Sequence, residues 1–193
     1  MQYNVRMGKE IVEAIRKIVE NSIADSGISR QFSIRLSKGK ITREENPHTH
    51  FCVYFAVYDP KTRRVFIGHH RKSGLVIFTG GHIEKDELPH DAVMREIQEE
   101  FGITIPKVHI LGPSLLTITD IENPQKVICT RHFDLWYFVR VNRTVFRPLQ
   151  EKLHKEFSSF GWKTTKQARR LITDRNNREA LRYISRSLYS PFP

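Results

Sequence analysis

The sequence predicts an α+β or α/β sandwich, and three observations carry that expectation. Apolar residues fall at helical spacing in some segments and as aromatic and β-branched runs in others. No repeat, low-complexity tract or strong linker interrupts the chain. Its 193 residues, 39% of them hydrophobic, suffice to bury a sizeable core without disulfide staples.

From the N-terminus, Ile11, Ala14, Ile15, Ile18 and Ile23 lie near helical spacing, so residues 8–24 read as an amphipathic helix with Gly27 as its stop. Residues 31–46 are basic and mixed and read as an extended segment running into the turn Glu44-Glu45-Asn46-Pro47. Residues 1–46 are thus expected to be a helical extension packed on the core, and 47–193 the main domain. His50 to Tyr58, rich in Phe, Tyr and Val, and Arg64 to His69 read as two strands of a hairpin turned at Asp59-Pro60-Lys61. Leu75 to Phe78 is a short apolar run ending at Thr79-Gly80-Gly81. Pro89 to Phe101 has a helix's marks: Pro89 in the first turn, Asp91 at the positive end of the dipole, Gly102 as the stop. Strands are expected at 108–116 and 129–141, and Phe160-Gly161-Trp162 reads as a short apolar stop. Two helices, 165–172 and 177–188, follow on either side of Asp174-Arg175-Asn176-Asn177.

Composition removes several classes. No apolar run reaches membrane-spanning length, and the first ten residues lack a secretory signal's apolar core. Cys52 and Cys129 cannot build a disulfide framework, and nothing in the linear sequence sets them with histidines at zinc spacing. A reducing cytosol is the expected setting. The formal charge of +11 invites a nucleic-acid reading, but its distribution qualifies that. Residues 1–46 carry nine Lys/Arg and six Asp/Glu, 47–139 ten and eleven, and 140–193 thirteen and four. The excess sits at the C-terminal end and the middle is slightly acidic.

The acid concentrates at Glu96, Glu99 and Glu100, related by three and four residues and so on one face of the expected helix. Crowded like charges repel. A hard divalent cation reverses that penalty, because Mg²⁺ takes oxygen ligands and bridges carboxylates to substrate phosphates. Arg95 reaches Glu99 one turn on and could hold Glu87 in the preceding loop, while Gly80 and Gly81 allow a close backbone approach where a carbonyl could complete coordination.

Gly81, Glu87, Arg95, Glu96, Ile97, Glu99, Glu100, Gly102 and Ile103 fill every fixed position of a pattern that resembles the signature of the Nudix hydrolases. A chance match of the seven non-aliphatic positions is on the order of one in a million. One departure is Thr79, where many members of that family have proline. The resemblance extends over roughly residues 48–185 and leaves the N-terminal helix outside. It implies an α/β/α sandwich around a mixed sheet, here with an extra N-terminal helix. It also implies hydrolysis of a nucleoside diphosphate linked to another moiety, assisted by Mg²⁺ or Mn²⁺. Carried over by position, Glu96, Glu99 and Glu100 would bind metal, with the Gly81 carbonyl as a further ligand and Arg95 and Glu87 as supports. Members often draw another acid from beyond the signature, just before a strand ending in Trp. Glu156, six residues before Trp162, is the candidate here, as a second metal ligand or the general base, with Glu100 the other candidate base and Glu99 beside it.

His82 reads as a surface loop residue that could contact phosphate. The run His69-His70-Arg71-Lys72 could line a substrate mouth, Asp134 reads as a buried hydrogen-bonded carboxylate, and Trp136, Tyr137 and Phe138 as core. The expected partner is a small nucleotide or other diphosphate compound and the expected state monomer or homodimer. Two alternatives are an RNA 5′-end pyrophosphohydrolase gripping its chain with the basic tail, and a nucleotide-sensing or nucleic-acid-binding module whose tail helices mimic a helix-turn-helix.

Overall fold

The computed structural model describes residues 2–121 and 128–189; residues 190–193, the end of the expected main domain, lie outside them. The class is α/β, with six α-helices among the described residues and a mixed seven-stranded sheet. Helices α1 (Gln2–Asn21) and α2 (Ser26–Ser37) precede strands β1 (Thr49–Asp59), β2 (Arg64–His70), β3 (Val76–Ile77) and β4 (Thr79–His82). Helix α3 (Pro89–Phe101), β5 (Ile110–Asp120), β6 (Arg131–Arg140), α4 (Gln150–Glu156), β7 (Phe157–Thr164), α5 (Thr165–Leu171) and α6 (Arg175–Tyr183) complete the chain. The strand order is β3-β2-β1-β6-β5, with β4 on β1 and β7 on β2. No helix among the described residues is long and apolar enough to cross a membrane.

The chain divides into two units: Met1–Tyr54, Gly80–Val93 and Pro113–Trp136 form one, and Phe55–Thr79, Met94–Gly112 and Tyr137–Pro193 the other. In the first, α1 buries the expected Ile11 and Ile15 together with Val19, but it ends at Asn21, so Ile23 lies beyond it and is 63% exposed. Gly27 does not stop it. That glycine lies in the first turn of α2, where the Asp25 carboxylate accepts its N–H at 2.8 Å as an N-cap. The extended reading of 31–46 is corrected as well, since residues 31–37 are helical.

The inward residues of α2 are Phe32, Arg35 and Leu36, and the arginine among them disguises the buried face. Arg35 is 4% exposed. Its guanidinium donates to the carbonyls of Gly39 (2.8 Å), Lys40 (2.6 Å) and Thr49 (2.6 Å) and to the Thr49 hydroxyl (3.0 Å). Burial lowers its pKa, and the nearby Glu45 charge acts the other way. Phe32 meets the rings of Phe51 and Phe133 edge-on at 5.8 and 5.2 Å. The Ile23 N–H donates to the Ser114 carbonyl at 3.0 Å, tying the inter-helix segment to β5.

In the second unit, β2 pairs antiparallel with β7 from Arg64↔Thr164 to His70↔Phe157. The stop expected at 160–162 is therefore part of a full strand. A Cβ at Gly68 would lie 2.3 Å from the Phe157 ring, so only glycine lets that aromatic seat over β2. Phe66 and Phe101 meet at 5.6 Å, each also against Phe146, and anchor the last turn of α3. The expected tail helices are present, with Ile184–Leu188 continuing α6 as a π-turn. Ala180, Leu181 and Ile184 are buried, and Tyr183 stacks on Phe138 at 4.4 Å. This tail packs on the sheet.

Candidate active site

The signature divides between the units. Gly81 and Glu87 belong to the first, where β4 runs against β1. A Cβ at Gly80 would stand 2.5 Å from the Val53 carbonyl oxygen, so this glycine is required by close backbone approach. Glu87 accepts the Glu84 N–H at 2.9 Å and so closes the turn that starts the signature's loop. Thr79, in the second unit, is buried and sets its hydroxyl 3.5 Å from the Phe55 carbonyl, a tether that proline could not make.

Arg95, Glu96, Glu99 and Glu100 belong to the second unit, on α3. Val93, Ile97 and Phe101 are buried, and that apolar stripe turns the three glutamates onto another face of the helix. Glu96 is 8% exposed, Glu99 is open to solvent, and Glu100 is intermediate. The Arg95 guanidinium donates to Glu96 at 2.8 Å and to Glu99 at 3.3 Å. Three carboxylates and one guanidinium leave a formal charge of −2 on two helical turns, matched by one divalent cation. All the donors are hard oxygens, which suits Mg²⁺ or Mn²⁺. Gly102 ends α3 at φ +66°, its N–H donating to Gln98 at 3.0 Å. A Cβ there would also meet Leu149 Cδ1 at 2.4 Å.

Glu156 lies on the last turn of α4 and directly precedes β7. Its Oε2 is 3.7 Å from His70 Nε2 and 3.7 Å from Lys72 Nζ. Burial lowers the His70 pKa, with the Glu156 charge pulling it back up. Arg71 donates to the carbonyls of Glu156 (N–H, 2.8 Å) and His154 (Nε, 2.9 Å). His69 Nδ1 lies 2.7 Å from the Ser158 hydroxyl. The basic run at the end of β2 is thus joined to the α4–β7 junction, which brings Glu156 together with His70 and Lys72.

Other residues fall as follows. Asp134 is fully buried and accepts hydrogen bonds from Thr117 (3.0 Å) and Thr119 (2.6 Å). Trp136 donates to the Thr117 hydroxyl at 2.8 Å and stacks on Tyr54, so it and its buried neighbours Tyr137 and Phe138 are core. His82 is not a solvated loop residue. It ends β4 with its ring 4.9 Å from His50 and 5.4 Å from His132. The sequence reading that Cys52 has no histidines in zinc-like arrangement is corrected: ligand atoms of His50, Cys52, His82 and His132 all lie within 4.8 Å of one another. Only the pair His50-x-Cys52, alternate residues of one strand, was available as a linear signal.

The fold and the intact signature are those of a single α/β domain family, and comparison with known proteins agrees. The NUDIX domain family model matches residues 47–184, and the chain belongs to that family. Over 78 residues it is 40% identical to the 8-oxo-dGTP diphosphatase of Escherichia coli (strain K12), a stretch that is 40% of this chain and 51% of that protein. The chain spans about half the length of this curated relative. Its fold is similar to the E. coli dihydroneopterin triphosphate pyrophosphohydrolase, at 19% identity and TM-score 0.57, covering 72% of this chain and 96% of that one. The C. elegans Ap4A hydrolase is similar too, at 14% identity and TM-score 0.53, covering 72% and 97%.

Proposed function

We propose that the protein hydrolyses a diphosphate linkage in a nucleoside diphosphate joined to another moiety, with Glu96, Glu99 and Glu100 holding Mg²⁺ or Mn²⁺. The observation that carries this reading is the trio of carboxylates on α3, two of them clamped by Arg95. The name of the 40%-identical relative agrees with a nucleotide substrate. A bound divalent ion would polarise the phosphoryl oxygens and lower the pKa of the attacking water. The chain's own part is to orient and to move a proton. Arg95 orients Glu96 and Glu99, and the family resemblance adds the Gly81 carbonyl as a further ligand. Glu100 is the base that takes the proton of the attacking water, with Glu156 the alternative, as base or second metal ligand. A reducing cytosolic setting and action as monomer or homodimer belong to the same reading.

Hydrolysis of a nucleotide panel in Mg²⁺ tests it, comparing wild type with Glu99→Gln and Glu100→Gln. Removing a group that acts in the transition state should lower kcat by about a hundredfold or more. Undiminished turnover in both variants would sink the site assignment.

A second reading, pyrophosphate removal from RNA 5′ ends, is favoured by a groove on the C-terminal helices lined by Lys166, Arg169, Arg178, Arg182 and Arg186. Such a groove would grip the phosphates downstream of the cleaved end. In that case 5′-triphosphate RNA should be hydrolysed faster than the free nucleotide, with affinity falling steeply as salt rises. Equal rates on both would count against it.

A further inference from the structure

We propose that His50, Cys52, His82 and His132 form a binding site for one transition-metal ion of the zinc class, chemically separate from the carboxylates of α3. Three neighbouring strands supply the donors: β1 gives His50 and Cys52, β4 gives His82, and β6 gives His132. All four ligand atoms lie within 4.8 Å of one another. A tetrahedral zinc ion with arms of about 2.0–2.3 Å needs ligand–ligand edges of about 3.3–3.8 Å. The cluster therefore needs to contract by about an ångström, within reach of rotamer adjustment in side chains already in contact.

Two features of the histidines point to a ligand. His50 Nδ1 lies 3.0 Å from the Asn46 carbonyl oxygen. That contact places the proton on Nδ1 and leaves a lone pair on Nε2, the tautomer by which metal-ligating histidines are oriented and kept neutral. Both ring nitrogens of His132 are buried without a hydrogen-bonding partner, a costly state for an imidazole that has no task.

Charge decides the donor set. Arg43 acts on His50, His132 and Cys129, and Arg35 acts on His50, so three neutral imidazoles alone would place a dication beside fixed positive charge. A Cys52 thiolate offsets one unit of it, and a nitrogen and sulfur set selects zinc or cobalt over magnesium. His50 and Cys52 are almost fully buried while His82 and His132 are partly exposed, which leaves a side open for entry. Cys129 Sγ, 3.5 Å from His50 Nε2, lies outside the four.

The test uses the full chain, stripped with chelator and titrated with Co²⁺ in saturating Mg²⁺, so that oxygen-donor sites are already filled. Expected are one equivalent of bound Co²⁺, the strong visible bands of a four-coordinate site and a thiolate-to-metal charge-transfer band, all removed by stoichiometric Zn²⁺. Cys52→Ser should abolish the charge-transfer band and Cys129→Ser should keep it. Zn²⁺ should raise the Tm of wild type by several degrees but not that of Cys52→Ser or His132→Ala. Far-UV circular dichroism of both metal-free variants confirms that they fold. Absence of the four-coordinate spectrum, its persistence in Cys52→Ser, or an equal Zn²⁺ effect on the Tm of all three proteins would overturn the site. No readout depends on hydrolysis, so failure here leaves the proposed activity standing.

Discussion

The Phe78 N–H donates to the side-chain oxygen of Asn177 at 2.7 Å, joining residues ninety-nine positions apart in a buried bond. Phe78 directly precedes β4 and the signature, and Asn177 sits in the first turn of α6 behind the Asp174 N-cap, which accepts both its N–H and its Nδ2–H at 2.7 Å. The last helix therefore supplies a side-chain acceptor to the backbone just before the strand that leads into the signature. Replacing Asn177 with Ala leaves a buried donor unpaired and should cost about 1–3 kcal/mol. The urea midpoint should fall with an unchanged m-value; an unchanged midpoint would show that the bond contributes nothing.

Gly102→Ala should destabilise through two separable causes. Its φ of +66° costs a residue with a Cβ about 1–2 kcal/mol, and the added methyl overlaps Leu149. Leu149 is 46% exposed, so Leu149→Ala alone is expected to be mild. In the double variant the overlap is relieved while the backbone cost stays. A double-mutant cycle on thermal melts should show favourable coupling of about 0.5–2 kcal/mol; simple additivity would contradict the steric account.

Asp59 gives the fold an acid sensitivity. Burial alone would raise its pKa, but the N–H groups of Arg143, Thr62 and Lys61 and the Thr62 hydroxyl outweigh burial and hold it below the ordinary 3.8. As pH falls, the unfolded chain accepts this proton first. The contribution is thus complete above the ordinary value and is lost as pH drops through the folded one. Asp59→Asn should lower stability at pH 7 by about 1–3 kcal/mol and flatten the wild type's decline below pH of about 4. A variant whose acid limb stays parallel to wild type would remove Asp59 as its source.

Proton transfer separates the two candidate bases. The residue that takes the proton should, as Gln, lower kcat by about 10²–10⁴-fold, leave KM nearly unchanged and abolish the acid limb of the pH–kcat profile. Glu100→Gln is expected to do so. Glu156→Gln, which gives up its charge contacts with His70 and Lys72, is expected to act mainly on KM. The reverse pattern would assign the base to Glu156.

The signature was legible because its parts are local: one helix with 3.6-residue geometry sets Glu96, Glu99 and Glu100 together whatever the rest of the chain does. The long strands β1 and β6 announced themselves by continuous aromatic and β-branched runs. Helix α2 did not, since its inward face is completed by Arg35, whose burial depends on three carbonyls supplied by other segments. Strand β7 hid behind Ser158, Ser159 and Gly161, and becomes a strand through its partner β2. The His–Cys cluster is assembled from positions 50, 52, 82 and 132 by strand pairing, a long-range event with no linear spacing to search for.

Arg35 bears on how the protein should be cut. The family match begins at residue 47, yet the Thr49 carbonyl, inside the matched region, is capped by a guanidinium from outside it. Phe51 and Phe133 likewise rest on Phe32. A chain trimmed to the homologous boundary would expose those rings and strip a buried acceptor of its donor. The stretch matched to the family is shorter than the stretch that packs together, and a soluble fragment should be sought with residues 26–46 retained.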